Sequence, residues 1–531
     1  MIKRKIQFCL FAVFCLVIIS CQKEKFTTSG DFKLQFSTDT ISFDTIFTRI
    51  GSVTQRFTVK NPSQYSVRIS RIFLAGGEKS PFRININGVG GDEDQNVTIS
   101  SGDSIYIFAE VTVDPTGQNN PMIIKDSIVF NVNGNIQDVK LAAFGQDVHL
   151  YKDDVLTTQH WKNDKPYLIY RSIMVGSSET LTIESGCRVH FHKGASLFVK
   201  GTLNVKGTFE ERVKFLGDRL ESGYADVPSQ WGAWEVLDNK SKYIYGGIHF
   251  LKGSKDNIID YAVIKNANKG IQLDSMGFSD NPMLVLSNSR IENMSLNCID
   301  ARTTNLKAFN CIFANSGSYC VALSFGGNYE FDHCTVANYF SSSSGIRKEP
   351  ALILNNYYTY GSTVYAYDLA KADFANCIIY GAMDDEISLD KVNATVFNYR
   401  FQNCLIKNNS SVFSKDPAFL GSIFNNDPKF TDISKNSYSI DSLSPAKNVG
   451  DRNIATQFPT DLNGNSRLID EGPDLGALEW KHEKKKKELK TRLLVRKRVR
   501  FIESKQPIRP RTALRLTKTA PTVVGTVIFC L

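Results

Sequence analysis

Two short stretches carry residue types that can do acid–base chemistry on sugars. Asp384 and Asp385 precede Glu386 in an acidic run, and Arg347 and Lys348 precede Glu349 in a mixed one. Hydrolysis of a glycosidic bond needs two carboxylates around it. An elimination needs a base, for which Arg or Lys can serve, and a cation such as calcium to neutralise a substrate carboxylate. Asp384, Asp385, Arg347 and Lys348 are therefore the candidate catalytic residues, although an acidic surface turn is the plainer explanation of 384–386. His190 and His192 stand two apart, on one strand face, but two histidines without a third ligand do not make a metal site. No metal or organic cofactor is expected, and calcium is the one cation this chemistry would use.

Binding has its own candidates. Tyr224, Trp231, Trp234, Tyr243 and Tyr245 form one aromatic cluster, and Tyr357, Tyr358, Tyr360, Tyr365 and Tyr367 form another. Exposed aromatic rings offer faces on which sugar rings can stack. Trp231, Trp234, Tyr357 and Tyr358 are the candidate ligand contacts. The competing expectation is that Trp231 and Trp234 pack inside the fold or against a neighbouring domain.

Cysteines recur in a third pattern. Asn310-Cys311-Ile312-Phe313, His333-Cys334-Thr335-Val336, Asn376-Cys377-Ile378-Ile379 and Asn403-Cys404-Leu405-Ile406 are variants of one unit, and Ala262 and Ser289 hold the same place in earlier copies. The steps between these six positions are 27, 22, 23, 43 and 27 residues. The 43-residue step reads as two turns, one of them degenerate. A place that accepts Cys, Ser and Ala wants a small residue, and a buried thiol behaves as a small hydrophobe. Stacking explains the pattern better than disulfides, a reactive thiol or a metal. Each unit ends four residues on, at Asn266, Asn293, Asn315, Asn338, Gly381 and Asn408. Asn and Gly adopt left-handed backbone cheaply, so bends with positive φ are expected there.

The elements that must position these residues are strands. Residues 32–150 contain alternating runs such as Gln55–Lys60 and Ser104–Val113 that stop at Asn61-Pro62 and Asp114-Pro115, and a run that turns at Asn133-Gly134. Strands at this spacing argue for an antiparallel sandwich. Residues 160–415 carry the repeat. A period in the low twenties with β-rich units is a solenoid signature, and a parallel β-helix fits where leucine-rich spacing is missing. The fold class is all-β: an immunoglobulin-like β-sandwich followed by a right-handed parallel β-helix.

Three resemblances refine this. The repeats resemble the pectin-lyase-like β-helix superfamily over about half the chain, which implies the fold but little of the chemistry. Of the polygalacturonase motifs, only Asp384-Asp385 matches by type, and Gly-His-Gly is absent from the sequence. The order FTVKN, SPFRI, SGDSIYIFAEVTVDP resembles immunoglobulin-like domains of the abnormal-spindle and Hydin type. Residues 416–480, with Asp427-Pro428-Lys429-Phe430, Asp461-Leu462-Asn463-Gly464 and Asp474-Leu475-Gly476-Ala477, resemble a choice-of-anchor Q segment and are expected to cap the last coil. Asp461, Asn463 and Asn465 alternate as calcium ligands can, but the bidentate Glu of an EF-hand loop is missing, so an Asn-Gly turn is the expected structure.

The termini bear on location. Lys3, Arg4 and Lys5 precede an apolar run, Phe8 to Ile19, too short to cross a bilayer. Ile18-Ile19-Ser20-Cys21 resembles a bacterial lipobox, which implies a signal peptide over 1–20, lipidation of Cys21 and a tether over 21–31. The formal charge of +9 is concentrated at the other end: residues 481–531 carry a net +13 and the rest of the chain −4. A basic, disordered tail is expected there, and an exported protein with an acidic body argues against nucleic acid. The expectation is a lipid-anchored protein of the cell envelope, on the periplasmic or surface face of an outer membrane. It would bind polysaccharide or an envelope protein without cutting it, the alternative being a lyase or hydrolase of acidic polysaccharide.

Overall fold

The computed structural model describes residues 24–117, 121–237, 241–274, 281–342 and 345–481. Cys21, the signal segment and the basic tail lie outside the described residues. The chain first builds a sandwich of two five-stranded sheets. One orders Gln35–Phe36, Gln55–Lys60, Ser104–Val111, Phe82–Ile86 and Val89–Gly91; the other orders Thr40–Phe47, Asn135–Gln146, Met122–Val132, Val67–Leu74 and Glu93–Ile99. Period-two alternation fills the space between them with Phe43, Phe57, Phe82, Ile107 and Phe130, all buried. Asn133 and Gly134 both have positive φ (49° and 82°), the requirement of a two-residue hairpin turn that follows the strand twist. One pairing departs from the antiparallel expectation: Thr40–Phe47 runs parallel to Asn135–Gln146. The first strand pairs in one sheet at Gln35–Phe36 and then crosses to the other without reversing, so it meets the last strand running the same way.

From His149 the chain winds into a parallel β-helix. Eleven strands stack into one sheet from His149–Tyr151 to Ile423–Phe424, and this cysteine face carries the Asn-Cys units. The remaining coil strands form a sixteen-stranded sheet that folds lengthwise into two faces. Ile299–Phe309 and Val321–Asp332 run round that corner and belong to both. One of these, the groove face, includes Leu197–Val199, Ile248–Phe250 and Ile271–Leu273; the other, the ladder face, includes Thr202–Lys206, Asn257–Asp260 and Leu284–Ser287. Register is strict. Ile248, Ile271, Ile299, Val321, Leu352 and Ile387 are stacked partners in successive coils, and all are buried. Each such side chain contributes about 1.5–3 kcal/mol on leaving water. Thr335–Asn338 pairs directly with Ile378–Gly381, so the 43-residue interval is one coil and not two. Its extra length is spent on two excursions, one of them the hairpin Tyr357–Tyr360/Thr363–Ala366.

The bends lie partly where expected. Asn266, Asn293 and Asn315 are left-handed (φ 67°, 65° and 52°), but Asn338, Gly381 and Asn408 are not. The invariant left-handed corner is instead the residue before the small one: Tyr261, Asn288, Asn310, His333, Asn376 and Asn403, all with φ between 48° and 52°. This single residue turns the chain from the ladder face to the cysteine face. The corner side chains partly link the coils, Asn310 Nδ2 donating to Asn288 Oδ1 at 3.1 Å and Asn376 Nδ2 approaching His333 Nε2 at 3.0 Å. Asn338 and Asn408 use their amides to hold loops, Asn338 Oδ1 accepting from the Ser316 N–H at 3.1 Å and Asn408 Oδ1 from the Ser410 N–H at 2.9 Å. Gly381 is glycine for space: a Cβ there would strike the Glu386 carboxylate and the Asn338 carbonyl.

The seven cysteines among the described residues are buried and unpaired, which removes the disulfide alternative for them. Cys311, Cys334, Cys377 and Cys404 each direct Sγ at the carbonyl two residues earlier, 3.2–3.4 Å away. Ser289 does the same with its hydroxyl at 2.6 Å. Cys and Ser interchange because both are small and both can donate there. Burial pushes the Cys334 and Cys404 thiols up, so they stay protonated.

Residues 425–480 do more than cap the last coil. They fold back along the outer side of the cysteine face. Ile312, Ala314 and Ala337 pack under Tyr438, Leu462, Ala477 and Leu478, while Ile378 and Leu405 pack under Ile440, Ala446 and Leu475. The cysteine strands are therefore apolar on both faces, as sheets buried on both sides are. Arg467, fully buried, bonds Glu479 Oε1 at 2.5 Å and reaches Asn310 Oδ1 at 2.9 Å. Asp461 accepts from the N–H groups of Asn463, Asn465 and Glu479 and from Asn465 Nδ2, at 2.7–2.9 Å. Its carboxylate organises a turn. Asn315 joins coil to lobe, donating to Asn436 Oδ1 at 2.6 Å and accepting from the Tyr339 N–H at 3.1 Å. Asn315→Gly should lose these bonds yet keep the left-handed backbone, whereas Asn315→Ala should lose both. Chemical denaturation should rank wild type above Gly and Gly above Ala, with about 1 kcal/mol between the two variants.

Candidate ligand-binding groove

The sequence candidates for catalysis are not brought together. Arg347 is buried and forms a two-point ion pair with Glu386, Nη2–Oε1 2.7 Å and Nη1–Oε2 2.9 Å. Glu386 is fully buried and also accepts from the N–H groups of Ala351 (2.8 Å) and Met383 (2.9 Å). This pair locks the corner between the cysteine and groove faces, and removing one partner would strand a buried charge. Lys348, Asp384 and Asp385 are exposed, and Asp385 accepts from the Asn409 N–H at 2.8 Å.

The aromatic candidates divide. Trp231 fills the coil interior, fully buried, stacked on Phe191 at 4.1 Å with Nε1 donating to the Lys265 carbonyl. It is a core residue, out of reach of a ligand. Trp234 is 47% exposed on the hairpin Trp234–Leu237/Ser241–Ile244, with Lys242 Nζ 4.0 Å over its ring. Tyr357 donates to Asp390 Oδ1 at 3.0 Å. Tyr358 stacks nearly parallel with Tyr365 (4.9 Å, 11°) and Tyr367 (6.2 Å, 13°) on the second hairpin. His190 is buried with Nδ1 3.0 Å from the Gly217 carbonyl and its ring 5.0 Å from Phe47 of the sandwich, and burial pushes its pKa down. His192 pairs with Asp218 at 2.5 Å. Among the described residues, no three His, Cys, Asp or Glu side chains converge as metal ligands.

What the sequence did not reveal is the floor between the two hairpins. The hairpins rise on opposite sides of the groove face, one before Ile248–Phe250 and the other after Leu352–Asn355. Beside the second hairpin lies a cavity of about 360 Å³ lined by Lys252, Asp274, Arg302, Thr303, Phe325, Tyr358 and Tyr367. These residues belong to five successive coils, so the cavity runs about 19 Å along the axis. Two of its walls depend on unusual backbone. Thr303 (φ 46°) and Phe325 (φ 62°) are both left-handed, at the register shift where the strands turn the corner. A β-branched residue in that region is strained, and such bulges re-aim side chains beside ligand sites.

A largely buried polar network holds Asp274 and Arg302, the two of its members that line the cavity. Outward-facing His249, Gln272 and Asp300 are register partners in three successive coils. His249 Nε2 meets Asp274 Oδ2 at 2.8 Å, and Gln272 Nε2 donates to Asp274 Oδ1 at 3.1 Å. Lys269 Nζ and Arg302 Nη2 both reach Asp300 Oδ2, at 2.6 and 2.9 Å. Arg302 Nη1 donates to the Tyr243 hydroxyl at 3.0 Å, tying the first hairpin to the floor. Burial would raise the Asp300 pKa, but Lys269 and Arg302 outweigh it and hold the carboxylate below its usual range. Asp274 is likewise lowered, because the hydrogen bond from His249 overcomes its partial burial. The signal in the sequence was a polar residue at the centre of Ile248-His249-Phe250, Ile271-Gln272-Leu273 and Ile299-Asp300-Ala301. It becomes legible only once the insertions are placed.

Because the folded pKa of Asp300 is depressed, its stabilisation is fully present above the unfolded value near 3.8 and is lost as pH falls through the folded value. The difference in Tm between wild type and Asp300→Asn should stay flat from pH 8 to about pH 5 and shrink below about pH 4.

The profile of a right-handed β-helix region matches residues 167–336, which gives the solenoid its hand. No curated protein sequence matches the chain significantly. Among solved structures, pectate lyase Pel9A is similar at 11% identity, with a TM-score of 0.29 over 63% of this chain and 88% of that one. The catalytic unit of a GH87 α-1,3-glucanase from Streptomyces thermodiastaticus is similar at 12% identity, with a TM-score of 0.24 over 66% and 72%. Other likenesses are partial: the chain spans 31% of the Vibrio cholerae VesB protease (13% identity, TM-score 0.15, 21% of this chain). It spans 60% of a protein of unknown function from Porphyromonas gingivalis W83 (12% identity, TM-score 0.16, 24% of this chain). The chain is thus an all-β protein with a right-handed parallel β-helix.

Proposed function

We propose that the groove face binds a polysaccharide chain along the β-helix axis and does not cut it. The observation that carries this reading is one elongated cavity that sets Tyr358 and Tyr367, whose rings are nearly parallel, beside the charged groups of Asp274 and Arg302. Sugars present both apolar C–H faces and hydroxyl edges, and rings beside aimed acceptors recognise both. The other two faces offer less: the lobe covers much of the cysteine face, and the ladder face presents crossed charges such as Lys307–Glu330–Lys371.

Affinity electrophoresis against a panel of soluble polysaccharides tests this. At least one polymer should retard the protein, and Tyr358→Ala, at an accessible hairpin, should weaken that binding about tenfold. Failure to bind any polymer would refute the reading. Release of reducing ends or unsaturated products, with calcium supplied, would transfer the groove to a hydrolase or lyase.

We also propose that the chain is carried on the cell envelope by lipid at Cys21. The support is the lipobox-like Ile18-Ile19-Ser20-Cys21 after a basic and apolar leader. Radiolabelled palmitate should enter the wild-type chain in cells and be absent from Cys21→Ser. Equal labelling of the two would contradict the anchor.

A further inference from the structure

We infer that the polysaccharide taken by this groove is a neutral hexose polymer and not a uronate chain, an inference that rests on the glycan-binding reading above. The argument is about which charges are free. Recognition of a carboxylate repeated along a polymer requires uncommitted cations, preferably a guanidinium whose two-pronged edge is open. The Arg302 edge is closed: Nε and Nη2 engage Asp300 at 3.2 and 2.9 Å, and Nη1 engages the Tyr243 hydroxyl. Lys269 is buried against Asp300 and Gln272. Lys252, exposed at the rim, is the one lining cation without a carboxylate partner among the described residues.

The carboxylate that lines the cavity, Asp274, has the opposite sign. Asp274 has a third of its side chain exposed, and its ionised form is favoured by His249 and Gln272. A carboxylate there repels a uronate, because like charges brought together out of bulk water are costly. For a neutral sugar the same group is an asset, since an ionised carboxylate accepts hydroxyl donors strongly. The wall suits the same ligand. Tyr358 and Tyr367 line it with near-parallel rings, and such rings stack on a pyranose face without requiring charge.

The test is titration of the full-length chain with a soluble neutral glucan, a galactomannan, polygalacturonate and alginate, at 50 and 500 mM NaCl. A neutral polymer should bind at least tenfold more tightly than either uronate polymer, and its affinity should change less than about twofold with salt. Asp274→Asn should weaken binding to the neutral polymer several-fold. If that variant does not fold, Tyr358→Ala provides the same readout from the exposed hairpin. Preferential, salt-sensitive binding of polygalacturonate or alginate would overturn this inference while leaving the glycan-binding reading standing. Binding of no polymer would overturn both.

Discussion

Everything in the solenoid depends on one geometric constraint: each coil must return to its starting position one strand spacing further along the axis. Parallel strands can hydrogen-bond coil to coil only if the corners repeat. The left-handed residue at 261, 288, 310, 333, 376 and 403 is that repeated corner. It sets the angle between ladder and cysteine faces and places the next residue inside, where only a small side chain fits. The cysteine column follows from the corner. So does freedom elsewhere: with one corner fixed, the others can carry hairpins without disturbing the register of Ile248, Ile271 and Ile299.

That division explains how the three faces are used. The cysteine face is apolar outside as well as inside, and the C-terminal lobe covers much of it, held by Arg467, Asn376 and Thr335. The ladder face is solvated and cross-linked by ion pairs, each weak in water. The groove face has a hairpin on each side, left-handed Thr303 and Phe325 at its corner, and a network in which Asp300 is matched by Lys269 and Arg302 and Asp274 by His249. The protein thus uses its burial energy for the rod and presents a shaped, nearly neutral strip.

The fold was legible because it repeats. Cys311, Cys334, Cys377 and Cys404 marked the coils, and Ser289 and Ala262 showed that the place demanded size and not thiol chemistry. The corner was misplaced by a few residues, since Asn stands at both ends of the unit and only geometry says which one bends in every coil. The site was far less legible. Arg347 read as a base beside the acidic run 384–386, yet a bond across 39 positions to Glu386 turns it into half of a buried clamp, and Gly381 makes room for that clamp. Trp231 looked like a binding residue because residue type does not reveal which side of a strand is inside an insertion. His249, Gln272 and Asp300 stand 23 and 28 residues apart, and only the strand pairing shows that each unequal step is one coil.

Hydrogen exchange of the full-length chain with and without saturating polysaccharide tests the central claim, that the strip between the hairpins is the ligand surface. Added protection should concentrate in 248–252, 271–274, 299–303 and 357–367. Protection confined to the ladder face or to the sandwich would contradict it.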